Sequence, residues 1–388
     1  MRTPYRLAFL LVSATSVAGF TSLPTPAASR IAFAARTGIV KRKDASYPEF
    51  RTFTDASTTL EQVVEEESPT VKPPFPIVLW RFTRPHTLIG SGLAIPAIQM
   101  LAAPSFEAAL SSANLIAALY ALFPALLMNL YITGLNQITD VEIDKVNKPN
   151  LPLAAGIMTM KTAIITVLVS LIVSLSMGVA HPVLGSQGLN VALWGSGILG
   201  TMYSLPPFRL KRFPLLAAFC IVAVRGTIIN AGFFAHAKAA AFGMPSATAL
   251  SCLFGDVKCG LSSLFFGVFG IVIALMKDVP DVRGDKLSNV RTLSVRIGQK
   301  RVFRAMQRLL MGLFFTVGAG FFRGAVLAPS TLISSFRGII AVASVLAGLS
   351  VWNEAKGVDA EDPKEVYGFY MHLWKLFYLS YLALPFVR

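Results

Sequence analysis

Long apolar stretches separated by short polar segments recur along this chain from about residue 87 onward. A helix that crosses a bilayer needs roughly 20 mostly apolar residues, and the pattern predicts nine such helices. The predicted spans are 87–101, 114–135, 162–180, 189–205, 215–235, 261–276, 306–322, 331–352 and 366–386. The fold class predicted from the pattern is therefore an all-α membrane protein.

Composition and charge agree with a membrane protein. Hydrophobic residues make up 54% of the 388 residues, and the mean hydropathy of +0.62 is too high for a typical soluble chain. The net charge of +15 could indicate nucleic-acid binding, but the Lys and Arg residues lie between apolar stretches rather than in one basic stripe. They concentrate in alternate loops, with eight between 277 and 304, as the positive-inside rule expects for nine spans.

The N-terminal residues have the composition of a targeting segment. Residues 1–43 contain seven Lys or Arg and no acid. A short apolar stretch at 7–12 after Arg2 and Arg6 predicts a signal peptide cleaved near Gly19, and the following Ser-, Ala- and Arg-rich stretch is typical of a transit peptide. An N-terminal anchor is the alternative, although the apolar stretch is too short to span. Residues 44–79 predict a flexible linker, which leaves 80–388 for the membrane domain.

The three cysteines do not suggest a metal site or a disulfide framework. Cys220, Cys252 and Cys259 lack both the spacing of a zinc site and the number expected of a disulfide-stabilised domain. We expect incidental thiols, with a bridge between Cys252 and Cys259 as the alternative.

Two predicted spans end in groups of acids. The second span ends in NQITDVEID, where Asn136, Asp140 and Asp144 recur every four residues. The sixth span ends in KDVPDVRGD, which contains the acids Asp278, Asp281 and Asp285. On continuous helices the residues of each group would share one face. Carboxylates at the end of a spanning helix are costly to desolvate and indicate a functional site.

Clustered carboxylates repel one another unless a cation lies among them. Hard oxygen ligands suit Mg²⁺, which typically binds one or two carboxylates together with substrate phosphates. Two such clusters on the same side of the membrane predict a site that binds a diphosphate through bridging Mg²⁺. The alternative is that these acids are ordinary solvated helix ends.

A basic segment lies between the two acidic motifs. In YSLPPFRLKR, at 203–212, Arg209 and Lys211 can bind phosphate oxygens that a metal leaves free. Retention of positive loops is the alternative, and it applies most strongly to Arg212. Arg225, within the fifth predicted span, needs an acidic or ligand partner. Two weaker candidates in the last span are His372 and Lys375.

These motifs resemble those of the UbiA superfamily of prenyltransferases, in the form found in plastid homogentisate prenyltransferases. NQITDVEIDKVNKPNLPLAAG is similar to the first aspartate motif and KDVPDVRGDK to the second. RPHTLIG, GTMYSLPPFRLKRFP and VRIGQKRVF match as well, so the resemblance covers most of 80–388. It implies a bundle of nine transmembrane helices around a central cavity that opens laterally for a lipid-like donor.

The same resemblance implies roles for particular residues. The metal and diphosphate residues are expected to be Asn136, Asp140, Asp144, Asp278, Asp281 and Asp285, with Mg²⁺ as cofactor. Independently of the resemblance, we expect the substrates to be bound by Arg84, Lys148, Tyr203, Arg209, Lys211 and Arg225. Gln137 stands where quinone and chlorophyll branches commonly carry Asp, and Lys148 where several relatives have Arg. Gln at position 137 and Lys at position 148 both resemble the residues of the homogentisate enzymes.

The implied reaction is Mg²⁺-dependent transfer of a prenyl group from a prenyl diphosphate to homogentisate, with loss of the acceptor carboxylate as CO₂. VEIDKVNKP and SVRIGQKRVF resemble the phytyl-transferring enzymes of tocopherol synthesis, which we favour. YSLPPFRLKRFP and VRGTIINAGFF resemble the solanesyl-transferring enzymes of plastoquinone synthesis, which are the alternative. The N-terminal segment resembles the bipartite presequences of algae with secondary plastids, which implies a plastid membrane as the location.

Charged residues within membrane spans also occur in transporters, which are the alternative from another class of protein. Transporters hold such residues near the middle of the bilayer, in interrupted helices and often in inverted repeats. Here the acids lie at helix ends, and both motifs follow even-numbered spans, which gives them the same orientation. The pattern therefore favours an enzyme.

Overall fold

The computed structural model describes residues 73–288 and 290–387, and the secondary structure within these ranges is helical. Nine of the helices there have at least 18 residues, and we number them in chain order. They are α1 Pro85–Ala102, α2 Ser112–Thr139, α3 Met160–Ala180, α4 Gln187–Ser204, α5 Pro214–Ala240, α6 Val257–Lys277, α7 Gln299–Val326, α8 Thr331–Ala355 and α9 Pro363–Ala383. Each predicted span coincides with one of these helices to within a few residues.

Six of the helices, α2, α3, α5, α6, α7 and α8, are long and apolar enough to cross a membrane. Helices α1, α4 and α9 carry more polar residues, including His86, Asn190 and Lys375. The all-helical membrane architecture is therefore confirmed. The count of nine spans stays a prediction, because it depends on these three more polar helices.

Short polar side chains determine where several helices begin. Ser111, Thr159, Ser186 and Asp256 accept hydrogen bonds from backbone N–H groups in the first turns of α2, α3, α4 and α6. Such caps satisfy N–H groups that have no partner within the helix. Helix α5 instead begins with proline, which needs no such partner, whereas α9 has both a proline at its first position and Asp362 as a cap. The capping side chains and prolines therefore fix the start of these helices near the point where the sequence becomes apolar.

Aromatic packing between α6 and α9 forms the centre of the core. Phe266 stacks on Tyr381 with ring centroids 3.8 Å apart, and Phe269 contacts Phe377 edge-on at 5.2 Å. Helices α7 and α8 pack mainly against each other, and only 17% and 11% of their most apolar stretches are buried. Their outer faces are therefore suited to contact lipid.

Helix α5 contains a π-helical segment at Val222–Ile228. Here Gly226 lies against Gly267 of α6, and a Cβ built on Gly226 would stand 2.6 Å from the Gly267 Cα. Only glycine permits this contact, because real Cβ atoms do not approach so closely. Such π turns occur frequently at functional sites, and this one carries Arg225.

The described residues begin before the predicted domain boundary at 80. The targeting peptide predicted for 1–43 lies outside the described residues, as does most of the linker predicted for 44–79. The last residues of that linker are helical, in the helix Phe75–Phe82. Gln137 fixes this helix to α2, since its Nε2 donates a 2.7 Å hydrogen bond to the Phe82 carbonyl.

The cysteines behave as the composition suggested. Cys220, Cys252 and Cys259 are buried free thiols. The alternative, a bridge between Cys252 and Cys259, is therefore not formed in this structure.

Candidate active site

The first aspartate motif folds as two helices rather than one. Helix α2 ends at Thr139, and Asp140, at φ −119°, joins it to the helix Val141–Asn147. The Thr139 hydroxyl donates to the Asn136 carbonyl at 3.0 Å, and the Asp140 amide donates to the Gln137 carbonyl at 3.3 Å in a tighter turn. The expectation of one continuous helix through Asn136, Asp140 and Asp144 is therefore wrong, although Asn136 and Asp140 still contact each other through a side-chain hydrogen bond.

The second motif is broken in the same way. Asp278 is the C-cap of α6, and Asp281 precedes the short helix Val282–Leu287. Pro280 lies between them; it has no N–H to donate and disfavours helical conformation in the residue before it. The expectation of one face for Asp278, Asp281 and Asp285 is also wrong, because these acids come from a helix end and from the helix that follows.

The two motifs are joined directly. Asn147 Oδ1 accepts a 2.9 Å hydrogen bond from the Gly284 amide, and a Cβ on Gly284 would lie 2.4 Å from that oxygen. Lys148, the next residue, forms an ion pair with Asp281 of the second motif. The segment after the first motif therefore positions the second.

The basic segment binds Asp140. Arg209 Nη2 lies 3.0 Å from Oδ1, and Lys211 Nζ lies 2.5 Å from Oδ2. Asn136 Nδ2 also donates to Asp140 Oδ2 at 3.0 Å. Burial lowers the pKa of Lys211 to about 8, although the nearby Asp140 carboxylate opposes that change. Both predicted phosphate-binding cations therefore lie at the first aspartate motif.

Burial and mutual repulsion affect the other acids. Asp144 is 4% exposed, and Arg84 Nη2 lies 3.7 Å from its Oδ2. Burial raises the pKa of Asp144 against the attraction of Arg84, and the neighbouring acids Asp140 and Asp281 raise it further. Burial raises the pKa of Asp285 to about 7, with Asp278 and Asp281 adding to the effect. The pKa of an acid in the first motif is thus raised by the charge of a carboxylate in the second motif.

The donor atoms suit a hard divalent cation. Carboxylate oxygens from both motifs and the carboxamide oxygen of Asn136 are the ligand types that Mg²⁺ prefers. Asp144 Oδ2 is buried and accepts no hydrogen bond within the described ranges. In those same ranges no three Asp, Glu, His or Cys side chains are grouped closely enough to hold an ion. Asp140 and Asp281 are paired with cations instead.

A cavity of about 220 Å³ adjoins the two motifs. Its motif end, which we call the mouth, is lined by Arg84, Asn136, Tyr203 and Lys277. Lys277 Nζ donates to the Tyr203 hydroxyl at 3.3 Å and lies 3.5 Å from Asp278. Farther from the motifs the lining includes Arg225 and Trp374 among apolar residues. The cavity can therefore hold a largely apolar molecule with a charged end at the mouth.

The comparison with known families identifies the chain. Residues 93–376 match the sequence profile described as the UbiA prenyltransferase family. The chain belongs to this family. UbiA membership confirms the resemblance found in the two aspartate motifs and argues against the transporter alternative.

Similar proteins narrow the position within the UbiA family. The chain is 40% identical over 312 residues, 80% of its length and 75% of the relative's, to "Homogentisate phytyltransferase 1, chloroplastic" of Arabidopsis thaliana. It is 34% identical over 320 residues, 79% of its length and 76% of the relative's, to "Homogentisate solanesyltransferase, chloroplastic" of the same plant. A UbiA homolog from Archaeoglobus fulgidus, described as bound to DMAPP and Mg²⁺, superposes with a TM-score of 0.52 at 16% identity, covering 80% of this chain and 99% of that chain. That likeness shows the UbiA fold.

The UbiA fold brings the predicted site residues together around the mouth, except Arg225, which lies farther inside the cavity. Four of them line the cavity, namely Arg84, Asn136, Tyr203 and Arg225. The ion pairs beside the mouth involve Arg84, Asp140, Asp144, Lys148, Arg209, Lys211, Asp278 and Asp281. Asp285 follows in the same motif and accepts a hydrogen bond from Thr292 Oγ1 at 3.3 Å. The catalytic and metal-binding roles of these residues stay predictions.

The weaker candidates and Gln137 lie apart from these residues. His372 pairs with Ser350 Oγ at 2.8 Å, and Lys375 is exposed. The Gln137 side chain donates a hydrogen bond to the Phe82 carbonyl. A carboxylate at position 137 could not donate that hydrogen bond, which gives a local reason for Gln in this chain.

The sequence pattern did not single out Lys277, Trp374 or His86. Lys277 stands directly before Asp278 in KDVPD, but a lysine at a helix end also fits the positive-inside rule. Trp374 lies among regularly spaced aromatic residues of α9, a pattern more often typical of a core. His86 in RPHTLIG packs edge-on against Trp374 with ring centroids 5.2 Å apart. Only the fold reveals that all three line one cavity.

Proposed function

We propose that this protein transfers a phytyl group from phytyl diphosphate to homogentisate, with Mg²⁺, in a plastid membrane. The observation that carries the proposal is the convergence of two aspartate motifs and a basic segment at the mouth of one largely apolar cavity. The phytyltransferase relative at 40% identity supports the donor and the acceptor, and its description as chloroplastic supports the location. A secondary plastid stays a prediction from residues 1–43, which lie outside the described ranges.

The residues that would hold Mg²⁺ are Asn136, Asp140, Asp144, Asp278, Asp281 and Asp285. When bound, the metal supplies a Lewis acid that stabilises charge on the leaving diphosphate. The UbiA homolog described as bound to DMAPP and Mg²⁺ supports this cofactor.

The cations beside the mouth are placed to bind the phosphate oxygens. Arg209 offers paired N–H donors, and Lys148 and Lys211 offer point charges. By stabilising the negative charge that develops as the allylic C–O bond breaks, they favour formation of a prenyl carbocation. The apolar cavity wall excludes water, which would otherwise capture that carbocation.

The acceptor ring then attacks the carbocation. A ring carbon beside a hydroxyl forms the new C–C bond and loses its proton. The acetate side chain loses CO₂ and takes up a proton to become a methyl group, so the protons balance. The products are the prenylated methylhydroquinone, CO₂ and diphosphate.

Solanesyl diphosphate is the second candidate donor. The segments YSLPPFRLKRFP and VRGTIINAGFF favour it, and the solanesyltransferase relative is 34% identical. The higher identity to the phytyltransferase favours phytyl.

A membrane assay tests the proposal. Membranes containing the protein would receive labelled homogentisate and Mg²⁺ with phytyl, geranylgeranyl or solanesyl diphosphate, each with and without excess chelator. We expect phytyl diphosphate to be consumed fastest and the chelator to stop product formation. Preference for solanesyl diphosphate would replace the first donor with the second. No product with any donor, in membranes shown to hold folded protein, would contradict homogentisate as the acceptor.

A further inference from the structure

Arg225 is a cation inside the cavity without an acidic partner. Its guanidinium carbon lies 5.1 Å from the ring centroid of Trp374 and 5.8 Å from that of Phe377. Within residues 73–288 and 290–387 none of the ion pairs involves Arg225. The ionisable side chains around it include Tyr370, Tyr378, Tyr381 and His86.

The helix packing fixes how deep this cation lies. A Cβ built on Gly270 of α6 would stand 3.6 Å from the Arg225 Cβ, so the two residues are level. Gly270 precedes Lys277, at the mouth, by about 10 Å along α6, at a rise of 1.5 Å per residue. Arg225 therefore belongs to a second region of the cavity, separate from the aspartate motifs.

Two aromatic faces do not fully compensate a desolvated guanidinium. A cation–π contact recovers less free energy than an unpaired charge loses on leaving water for an apolar site. Arg225 lines the cavity, and within the described ranges no hydrogen bond engages its guanidinium, so these N–H donors are open to a ligand there. A carboxylate matches these donors in shape and charge, because it can accept two parallel hydrogen bonds.

We propose that Arg225 binds the carboxylate of an aromatic acid acceptor, and that Trp374 forms one wall beside the acceptor ring. This inference rests on the proposed function, in which the reactants carry two anionic groups. The diphosphate is assigned to the cations beside the mouth, namely Arg209, Lys211 and Lys148. The acceptor carboxylate is left for Arg225, which orients the ring with its reactive edge toward the mouth.

A binding measurement tests this assignment without relying on turnover. Purified full-length protein would be titrated with homogentisate and with methylhydroquinone, which has the same ring but a methyl in place of the acetate. Mg²⁺ and a non-reactive prenyl thiodiphosphate would be present throughout. We expect wild-type protein to bind homogentisate at least tenfold more tightly than methylhydroquinone. The Arg225→Met variant should lose this preference, and Arg225→Lys should retain part of it.

Kinetic constants and a matched variant separate binding from a general structural effect. In Arg225→Met the KM for homogentisate should rise at least tenfold, while the KM for the prenyl diphosphate stays within twofold of wild type. Arg323→Met removes an exposed arginine near the end of α7 and should change neither constant. If Arg225→Met does not fold, the preference of wild-type protein for homogentisate and its reduction in Arg225→Lys decide whether Arg225 binds the carboxylate.

The outcomes distinguish the two proposals. Equal binding of the acid and the methyl analogue by wild type would overturn the role of Arg225, as would a preference that survives in Arg225→Met. Product from homogentisate together with either result would leave the proposed function intact. Tight, Arg225-dependent binding of homogentisate without product from any donor would instead contradict the proposed function and support the carboxylate site.

Discussion

Lys148 and Asp281 form an ion pair across the two aspartate motifs. The pair has two effects, since it holds the segment after the first motif against the second and keeps a partly buried carboxylate compensated. Removing one partner of such a pair leaves the other charge unpaired. A substitution of Asp281 should therefore disturb both the charge balance of the site and the contact between the two motifs.

We expect Asp281→Asn to lower kcat by about 100-fold or more, the scale seen when one preorganised electrostatic contact is removed. The cause is loss of a carboxylate for the cation together with an unpaired Lys148. The measurement is Mg²⁺-dependent product formation in membranes with equal amounts of folded protein. Glu142→Gln is the matched control, because the Glu142 side chain is 81% exposed and pairs only with Lys145 among the described ion pairs. Near-normal turnover by Asp281→Asn would remove Asp281 from the proposed site.

The sequence indicated which residue types gather in the site but not which of them pair. The spacing of Asp140 and Asp281 marked them as functional, and the basic segment marked Arg209 and Lys211. Lys148 pairs with an acid that lies far along the chain, and a local pattern contains no information about such a partner. Arg225 was recognised as needing a partner, but its aromatic neighbours Trp374 and Phe377 come from the packing of α9.

Individual helices were the most predictable feature. Apolar stretches of bilayer length located every long helix, because a chain in lipid must satisfy its backbone hydrogen bonds within the helix. The breaks at Asp140 and Asp278 were not predicted, since the spacing of the acids fits a continuous helix equally well. Pro280 was the available signal for the second break. At the first break the Thr139 hydroxyl bonds to the Asn136 carbonyl, a contact that has a weak sequence signature.

The start of α6 illustrates how a cap and an ion pair combine in one side chain. Asp256 accepts hydrogen bonds from the Lys258 and Cys259 amides at 3.0 and 3.4 Å, and Lys238 Nζ lies 2.7 Å from its Oδ2. Burial raises the pKa of Asp256, but the hydrogen bond and the charge of Lys238 outweigh it, so the net pKa lies below the ordinary value. Asp256 therefore stabilises the fold in its ionised form.

We expect Asp256→Ala to lower the free energy of unfolding by about 1 kcal/mol through loss of the cap, and Asp256→Asn to lower it less. Because the folded pKa is depressed, the difference between wild type and Asp256→Asn is present above the unfolded pKa of about 4. It disappears as the pH falls through the folded value. Thermal unfolding in detergent at pH 7 and below pH 4 measures this. Asp362→Asn, a cap without an ion pair among the described residues, is the control, and a pH-independent difference for Asp256→Asn would contradict the assignment.

At the scale of the whole molecule, the described bundle contains every residue assigned to the site. These residues run from Arg84 in the first part of the described chain to Trp374 in α9. Composition and hydropathy predicted a membrane domain at 80–388; its boundary stays a prediction, and the described helices already begin at Phe75. The cavity could not be predicted, because it depends on how helices distant in sequence pack together.

A protein lacking residues 1–43 should therefore retain its activity when it is inserted into membranes. We expect kcat and both KM values within about twofold of the full chain, since the residues assigned to the site all lie within the described part of the chain. The measurement is the same membrane assay, normalised to the amount of inserted protein. Loss of activity with normal insertion would show that this segment belongs to the enzyme.

The ion pairs at the mouth have a thermodynamic consequence. A metal ion that takes Asp140 or Asp281 displaces Lys211 or Lys148, and a diphosphate that takes those lysines releases the carboxylates. If only one ligand binds, either the lysines or the carboxylates of these ion pairs are left without a partner. If both bind, each lysine and each carboxylate gains a new partner. We therefore expect positive cooperativity, in which the metal and the diphosphate each raise the other's affinity by the same factor. The protein then recognises the complex of the two as one ligand.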